Sequence, residues 1–191
     1  MVNGNIVSYL QAHPDHDRLT SLVQVADAMD YLHNLDPPII HADIRGANIL
    51  VADNRCCCLA DFGLSLIAES QNFNTTSGMR RGSLRWLAPE YILPGLLDQS
   101  FIAARDTYAY GCTVIEVLTG NSPFSEFQND RVFMAEVIDR RSHPPLNLSS
   151  DVFSHNGLRS LVAGCLRTSP SKRPDARRIS RRIRLVAKQY R

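Results

Sequence analysis

The stretch HADIRGANIL, residues 41 to 50, combines an acid and an amide at a spacing that suits one kind of reaction. Asp43 stands two places after a histidine, and Asn48 follows Asp43 by five places. A second acid, Asp61, lies in the short stretch ADFG at residues 60 to 63. Transfer of a phosphoryl group requires an acid that orients the attacking hydroxyl and oxygen ligands that hold Mg²⁺ on the phosphates. These three side chains are of the required types, so they are the candidate chemical residues of this sequence.

A small β hairpin is the element that should position these side chains. The runs ANILV and CCCLA are short and apolar, and the residues between them, 53 to 55, favour a turn. Asn48 and Asp61 flank this hairpin, so its fold-back would bring them to one edge, close enough to share metal ions. The second run contains three adjacent cysteines, residues 56 to 58, and adjacent residues on a strand point to alternate faces. We interpret these cysteines as reduced side chains that fill apolar space, in preference to metal-binding or redox-active groups.

Helices are predicted for most of the remaining sequence, because apolar residues recur at helical spacing. The predicted helices are residues 19 to 34, 105 to 120, 130 to 140, 156 to 167 and 175 to 189. Residues 65 to 85 are polar with little periodicity, which predicts a long surface loop, and loops of that length are usually functional. The predicted fold class is mainly α with a small β hairpin, an α+β fold, in one domain over residues 1 to 191.

Composition excludes several classes of protein. At 191 residues, with 44% hydrophobic and 21% charged residues, the chain has enough apolar surface to bury the core of one soluble domain. No run approaches the ~18 consecutive apolar residues of a membrane span, and the first twenty residues lack the pattern of a secretion signal. We therefore expect a cytoplasmic or otherwise intracellular protein.

The last twenty residues are strongly basic. Residues 172 to 191 contain nine Lys and Arg residues and one acid. Because Ile179, Ile183 and Val186 fall at helical spacing, this segment is predicted to be an amphipathic helix with an Arg-rich outer face. Such a face either stays solvated while the helix closes the domain, or binds a polyanion such as nucleic acid or an anionic membrane surface.

Taken together, the HxD, DFG and LAPE motifs resemble the C-terminal lobe of a eukaryotic-type protein kinase, over nearly the whole chain. The resemblance implies ATP and Mg²⁺ as cofactors, and a protein substrate with a Ser or Thr hydroxyl. Asp43 would be the catalytic base that accepts the hydroxyl proton. Asn48 and Asp61 would hold Mg²⁺, and Leu50 would form part of the floor under adenine.

The same resemblance implies structural roles for other residues. Glu90, the acid of LAPE, would pair with Arg173, and Asp106 of the central helix would hold the catalytic loop through backbone hydrogen bonds. Residues 61 to 90 would form the activation segment. Its candidate hydroxyls are Thr75, Thr76, Ser77 and Ser83. Ser83 matches the position at which Ser/Thr-type kinases place a hydroxyl near the base.

Two departures from the common kinase motif affect regulation and specificity. Ala42 stands where many kinases have an arginine that grips an activation-loop phosphate, so activation through that pocket is not expected. Arg45 stands where the Ser/Thr type usually has lysine. It would still offer positive charge to the γ-phosphate, but its planar fork differs from an ammonium, so we expect an altered rate. A cation at this position, with no AAR pattern of the tyrosine type, favours Ser/Thr specificity. The RWLAPE and MVNGNIVSYL stretches resemble the tyrosine-kinase-like branch of Ser/Thr kinases.

The resemblance begins at the end of the kinase hinge, and Met1 falls where the family uses a backbone amide to read adenine. The sequence contains no GxGxxG, and its only lysines are Lys172 and Lys188. It therefore does not supply the Gly-rich loop that covers the phosphates or the lysine of the N-terminal lobe. Since the loss of one preorganised charge contact costs ~10² to 10³ in rate, we expect the chain alone to be close to inactive.

Three hypotheses remain open from the sequence. The chain is the C-terminal lobe of an active Ser/Thr kinase, or a pseudokinase-like scaffold that binds proteins, or a regulatory fragment that docks through its basic terminal helix. The joint presence of a base and two metal ligands counts against a pure scaffold. His41 and Trp86 are interpreted as packed core residues. Arg80, Arg81 and Arg85 form either a solvated loop face or a set of charges that face substrate and phosphate.

Overall fold

Helices form most of the described part of the chain, which also contains two small antiparallel sheets. The computed structural model describes residues 3–62, 66–67, 82–93, 98–140, 153 and 156–189. The helices are α1 (Ile6–Ala12), α2 (Arg18–His33), α3 (Pro89–Ile92), α4 (Ala104–Thr119), α5 (Asp130–Arg140), α6 (Asn156–Cys165) and α7 (Ala176–Gln189). The strands are β1 (Ile39–Ile40), β2 (Ile49–Val51), β3 (Cys57–Leu59) and β4 (Leu66–Ile67). The predicted α+β class is confirmed. Within the described part of the chain, no helix has both the length and the apolarity to cross a membrane.

Helix α4 lies at the centre of the fold. Every residue from Arg105 to Val117 is buried, and helices α2 and α6 pack against it. Gly120 ends the helix with a φ of 74°, a left-handed conformation that glycine adopts without a Cβ clash. The sequence prediction of a central apolar helix that ends at this glycine is confirmed.

Helices α2 and α7 pack against each other along one side of the domain. Asp17 caps the start of α2 by accepting a hydrogen bond of 2.9 Å from the backbone N–H of Thr20. On α7, the predicted apolar stripe of Ile179, Ile183 and Val186 is buried, and the Arg-rich face lies outside. Helix α7 therefore closes the domain as an amphipathic helix.

The predicted hairpin is present and connects the candidate chemical residues. Strands β2 and β3 are antiparallel, with Leu50 opposite Cys58. The turn is closed by a hydrogen bond of 2.8 Å from the N–H of Ala52 to the carbonyl of Cys56. Cys57 is buried while its neighbours are half-buried, and all five cysteines of the chain are free thiols. Cys57 and Cys58 lie on the predicted strand, while their interpretation as reduced, apolar filler stays a prediction.

A second sheet occupies part of the segment predicted to be a loop. Strand β1 pairs with β4, with Ile39 opposite Ile67 and Ile40 opposite Leu66. The prediction of an irregular loop over residues 65 to 85 is therefore wrong at this strand, and also at the 3₁₀ turn Leu84–Trp86. A strand of two residues has no periodicity to detect, and its partner is distant in the chain. Residues 68 to 81 of the predicted loop lie outside the described residues.

Candidate active site

The loop of residues 41 to 48, here called the HAD loop, is anchored to the first turn of α4. Oδ2 of Asp106 accepts a hydrogen bond of 2.8 Å from the N–H of His41, and Oδ1 accepts one of 2.8 Å from the N–H of Ala42. His33 of α2 adds a contact of 2.9 Å to Oδ2. Ala42 has a φ of 71°, which is unfavourable for a residue with a Cβ. Asp106 therefore grips the loop at its most strained residue.

Asp106 is fully buried, yet its pKa lies below the ordinary value. Burial alone would raise the pKa of this carboxyl, because it removes water from the charged form. The hydrogen bond and charge of His33 outweigh that effect, with help from the charge of His41 and the N–H of Ala42. The side chain is consequently an ionised anchor at neutral pH.

A second carboxylate, Glu116, holds the HAD loop from the other end of α4. Its Oε2 accepts a hydrogen bond of 2.7 Å from the N–H of Gly46 and one of 3.2 Å from Nε1 of Trp86. Burial raises the pKa of Glu116, and the hydrogen bond from Gly46 only partly offsets the rise. The sequence interpretation missed this residue. An acid inside the apolar run TVIEVLTG was the signal that could have identified it.

Asp43 and Asn48 are joined directly. Nδ2 of Asn48 donates to the backbone carbonyl of Asp43 at 2.8 Å and to its carboxylate Oδ2 at 2.9 Å. Asp43 is 7% exposed, so this amide fixes the direction of a largely buried acid. Because the amide nitrogen of Asn48 is engaged by Asp43, the amide oxygen is the atom that Asn48 offers to a cation.

Asp61 lies at the same edge of the hairpin as Asn48. The N–H of Ala60 donates to the backbone carbonyl of Asn48 at 2.9 Å, which places the next residue, Asp61, beside it. Asp61 is exposed and has a φ of 61°, so its backbone is held in an unfavourable conformation. An amide oxygen and a carboxylate, with few other protein ligands, fit Mg²⁺. In the described residues, no group of three or more His, Cys, Asp and Glu side chains offers a competing metal site.

Ser83 lies close to Asp43 at the end of the proposed activation segment. It is 6% exposed and lines a narrow cleft together with Asp43, Ala42 and Arg105. Ser83 and the candidate base therefore line the same cleft. Thr75, Thr76 and Ser77 lie outside the described residues.

Arg45 links the HAD loop to the segment that contains Ser83. Its Nη1 donates to the carbonyl of Gly82 at 2.7 Å, and its guanidinium carbon lies 5.0 Å from the centre of the Trp86 ring. Part of its hydrogen-bonding capacity is therefore engaged within the protein. Trp86 is 7% exposed and His41 is fully buried, which confirms their interpretation as packed residues.

Leu50 and Phe62 form part of a surface beside the hairpin. Leu50 is half-buried on β2 and forms an antiparallel bridge with Asn5, so the chain before α1 runs alongside it. Phe62 is 48% exposed, with its ring 5.0 Å from that of His41. Met1 lies outside the described residues.

Glu90 and Arg173 form a buried ion pair. Nη1 of Arg173 donates to Oε1 of Glu90 at 2.6 Å, and Nη2 donates to Oε2 at 2.7 Å, a bidentate arrangement. Arg173 also donates to the carbonyl of Ala104, the first residue of α4, at 3.1 Å. The pair therefore ties α3 to the base of α4 and to the segment that precedes α7.

Arg85 corrects one expectation. Instead of facing solvent or phosphate, its guanidinium donates to the carbonyls of Phe124 and Phe127, the latter at 2.9 Å, and contacts Asp130 at 3.1 Å. The carbonyl of Phe124 also accepts a hydrogen bond of 3.1 Å from the N–H of Phe127. Arg85 therefore adds a second donor there and stabilises the turn that follows α4. Arg80 and Arg81 lie outside the described residues.

The basic face of α7 is partly bound to the rest of the domain. Arg177 donates to Asn34 at 2.8 Å, and Arg184 donates to Asp27. Arg178 and Arg181 are exposed. Binding of nucleic acid or an anionic surface by this helix stays a prediction.

Comparison with known proteins identifies the family. The sequence profile described as protein tyrosine and serine/threonine kinase matches residues 1–183. Mitogen-activated protein kinase kinase kinase 2 of Arabidopsis thaliana is 36% identical over 97% of this chain and 28% of its own length. The kinase kinase kinase ANP1 of the same plant is 37% identical over 91% of this chain and 25% of its own length. A probable serine/threonine-protein kinase of Dictyostelium discoideum is 35% identical over 87% of this chain and 9% of its own length.

The chain thus spans less than a third of the length of each of these relatives. The family profile nevertheless covers nearly all of it. This chain therefore belongs to the protein tyrosine and serine/threonine kinase family.

Proposed function

We propose that residues 1 to 191 are the C-terminal lobe of a Ser/Thr-type protein kinase of the tyrosine-kinase-like branch, which transfers the γ-phosphate of ATP to protein hydroxyls. The observation that carries this proposal is the double hydrogen bond from the amide of Asn48 to Asp43. It fixes a carboxylate next to a candidate metal ligand, which is the arrangement that phosphoryl transfer requires. The similarity to a probable serine/threonine-protein kinase and to two mitogen-activated protein kinase kinase kinases supports the choice of a Ser or Thr hydroxyl.

In this proposal Asp43 orients the substrate hydroxyl and accepts its proton. Asn48, through its amide oxygen, and Asp61 would hold Mg²⁺. The ion, when bound, would supply positive charge against the phosphate oxygens. Leu50 would lie under the adenine ring, because it stands on the half-buried face of β2. Ser83 would help to position the substrate hydroxyl near the base.

Arg45 has a narrower role in this proposal than the resemblance alone implies. Its Nη1 already binds the carbonyl of Gly82 and its Nε is buried, so only Nη2 would face a phosphate. We propose that it joins the HAD loop to the end of the activation segment while contributing charge near the transferred group. A lysine would provide the charge but not the simultaneous second contact.

The test is a chimera in which the N-terminal part of the kinase domain of Arabidopsis kinase kinase kinase 2 precedes residue 4 of this chain. We expect Mg²⁺- and ATP-dependent phosphorylation of Ser and Thr peptides. Asp43→Asn should lower kcat by about 10² to 10⁴, the usual contribution of a general base. Arg181→Gln, on the exposed face of α7, is the matched control and should retain activity.

Two results would overturn the proposal. One is a folded chimera that binds Mg-ATP, measured by calorimetry, but transfers no phosphate to peptides or to itself. The other is an Asp43→Asn variant with the kcat of the unmodified chimera. Either result would favour a protein-binding scaffold over an enzyme.

A further inference from the structure

Arg105 is a charged residue in an unusual place. It lies in the first turn of α4, immediately before Asp106, and is only 6% exposed. A cation is unfavourable at a helix N-terminus, because the helix dipole is positive there. Burial of a charge is also costly unless polar partners compensate for it. The contacts of Arg105 must therefore offset both costs, and they show what the side chain does.

Those contacts are with the HAD loop and with α3. Nη2 of Arg105 donates to the backbone carbonyl of Ala42 at 3.2 Å. Its guanidinium carbon lies 4.3 Å from the centre of the Tyr91 ring, a distance typical of a cation–π contact. The ring of Tyr91 holds the guanidinium in one orientation while one of its N–H groups reaches the loop.

The backbone of Ala42 is consequently held at both its N–H group and its carbonyl group. Asp106 accepts from its N–H, and Arg105 donates to its carbonyl. Its φ of 71° is disfavoured for any residue with a Cβ, so the conformation persists only where neighbouring contacts impose it. The next residue is Asp43, and Arg105 lines the same cleft as Asp43 and Ser83. Arg105 and Asp106, two consecutive residues of α4, therefore fix the backbone of Ala42. This backbone determines the direction in which Asp43, the candidate base, projects.

We propose that Arg105 is a positioning residue that holds the HAD loop, and with it Asp43, in the conformation that phosphoryl transfer requires. This proposal rests on the proposed function of the same site. The two partners of Arg105, Ala42 and Tyr91, fix its guanidinium beneath the loop. Since Arg105 is only 6% exposed, these contacts within the protein are what its charge serves.

The first test uses the 191-residue chain and does not depend on activity. In Arg105→Met, which keeps a long apolar side chain but removes the donor, amide hydrogen exchange of residues 41 to 46 should become about tenfold faster. Exchange in α7 should stay unchanged and serves as the internal reference for global stability. Tyr91→Phe, which keeps the ring, should retain slow exchange, and Tyr91→Leu should not.

The second test uses the chimera and separates positioning from folding. Arg105→Met should lower kcat about tenfold while KM for ATP stays within about twofold, because only the base is misplaced. Adding Ala42→Gly should recover most of the lost kcat, since glycine adopts a positive φ without help from Arg105.

Unchanged exchange at residues 41 to 46 in Arg105→Met would overturn the proposal. So would a loss of kcat that Ala42→Gly fails to recover. A chimera that transfers no phosphate at all would overturn the proposed function, and with it the expected change in kcat. Faster exchange in the isolated chain would still support the contact between Arg105 and the loop in that case.

Discussion

Helix α4 carries two buried carboxylates that grip the same loop, and their pKa values shift in opposite directions. Asp106 lies in the first turn of the helix and holds the N–H groups of His41 and Ala42. Glu116 lies in the last turn and holds the N–H of Gly46. The pKa of Asp106 is lowered and that of Glu116 is raised, although burial pushes both upward.

The difference shows that burial alone does not decide whether an acid stays charged. Asp106 uses both carboxylate oxygens and has His33 as a third partner, and the positive end of the helix dipole favours its charge. Glu116 directs one oxygen at two donors and lies near the negative end of the helix. The hydrogen bonds and charges around Asp106 outweigh the effect of burial on its pKa, whereas at Glu116 burial outweighs the hydrogen bonds and the charge of Arg45.

Among the variants of these two carboxylates and their partners, Asp106→Asn should lower the free energy of unfolding the most. An amide offers one acceptor oxygen, so its NH₂ group would face the N–H of Ala42 or the pair of donors from His41 and His33. We expect a loss of about 2 to 4 kcal/mol in the free energy of unfolding, measured by urea denaturation. Asp27→Asn, which removes a half-exposed carboxylate that binds Arg184, is the control and should cost less than about 1 kcal/mol. Equal losses in the two variants would contradict this prediction.

Gly46→Ala should have the next largest effect on stability, because the added methyl group would clash with Val7 and Glu116. An added Cβ would lie 2.5 Å from Cγ2 of Val7 and 2.9 Å from Cδ of Glu116. We expect a loss of about 1 to 3 kcal/mol in thermal or urea unfolding. Gly164→Ala is the matched control, since its nearest neighbour would lie 3.9 Å away and alanine favours a helix. A stable Gly46→Ala variant would show that α1 yields easily at this contact.

Glu116→Gln should have a smaller effect than either. Both donors point at the same oxygen, Oε2, and the amide oxygen of glutamine can occupy that position. The change in unfolding free energy should stay within about 1 kcal/mol. Glu116→Ala, which leaves both donors without an acceptor, should cost more. In our interpretation Asp106 uses both carboxylate oxygens as acceptors and Glu116 uses only one. If Glu116→Gln lost as much free energy of unfolding as Asp106→Asn, this contrast would be refuted.

The pH dependence of the free energy of unfolding should show the smallest effect. The contributions of Asp106 and Glu116 to this dependence should have opposite signs. The folded pKa of Glu116 lies above its ordinary 4.5, so wild type gains stability relative to Glu116→Gln as pH falls through that raised value. The folded pKa of Asp106 lies below 3.8, so its contribution is complete above that pH and is lost as pH falls further. Urea denaturation across the acidic range measures both differences. Changes of the same sign would contradict the assignment.

The sequence was most informative where residue type is tied to local geometry. The hairpin between Asn48 and Asp61 and the helix that ends at Gly120 followed from short apolar runs and turn residues, because both depend on contacts between near neighbours. Strand β4 was missed, since two residues carry no periodic signal. Arg85 was misread for a related reason: its partners are carbonyls of a distant loop, and no pattern in the chain points to them.

Taken alone, the sequence determined which groups are available for chemistry: Asp43, Asn48 and Asp61 have the types and order that phosphoryl transfer requires. Only the tertiary structure decided how those groups are held. Arg105 and Glu116 read as ordinary members of a helix until their contacts with the HAD loop are known. Those contacts join residues more than 60 positions apart, as between Arg105 and Ala42. Sequence spacing predicts neighbours along a helix or hairpin, whereas contacts between distant segments arise from packing of the whole core.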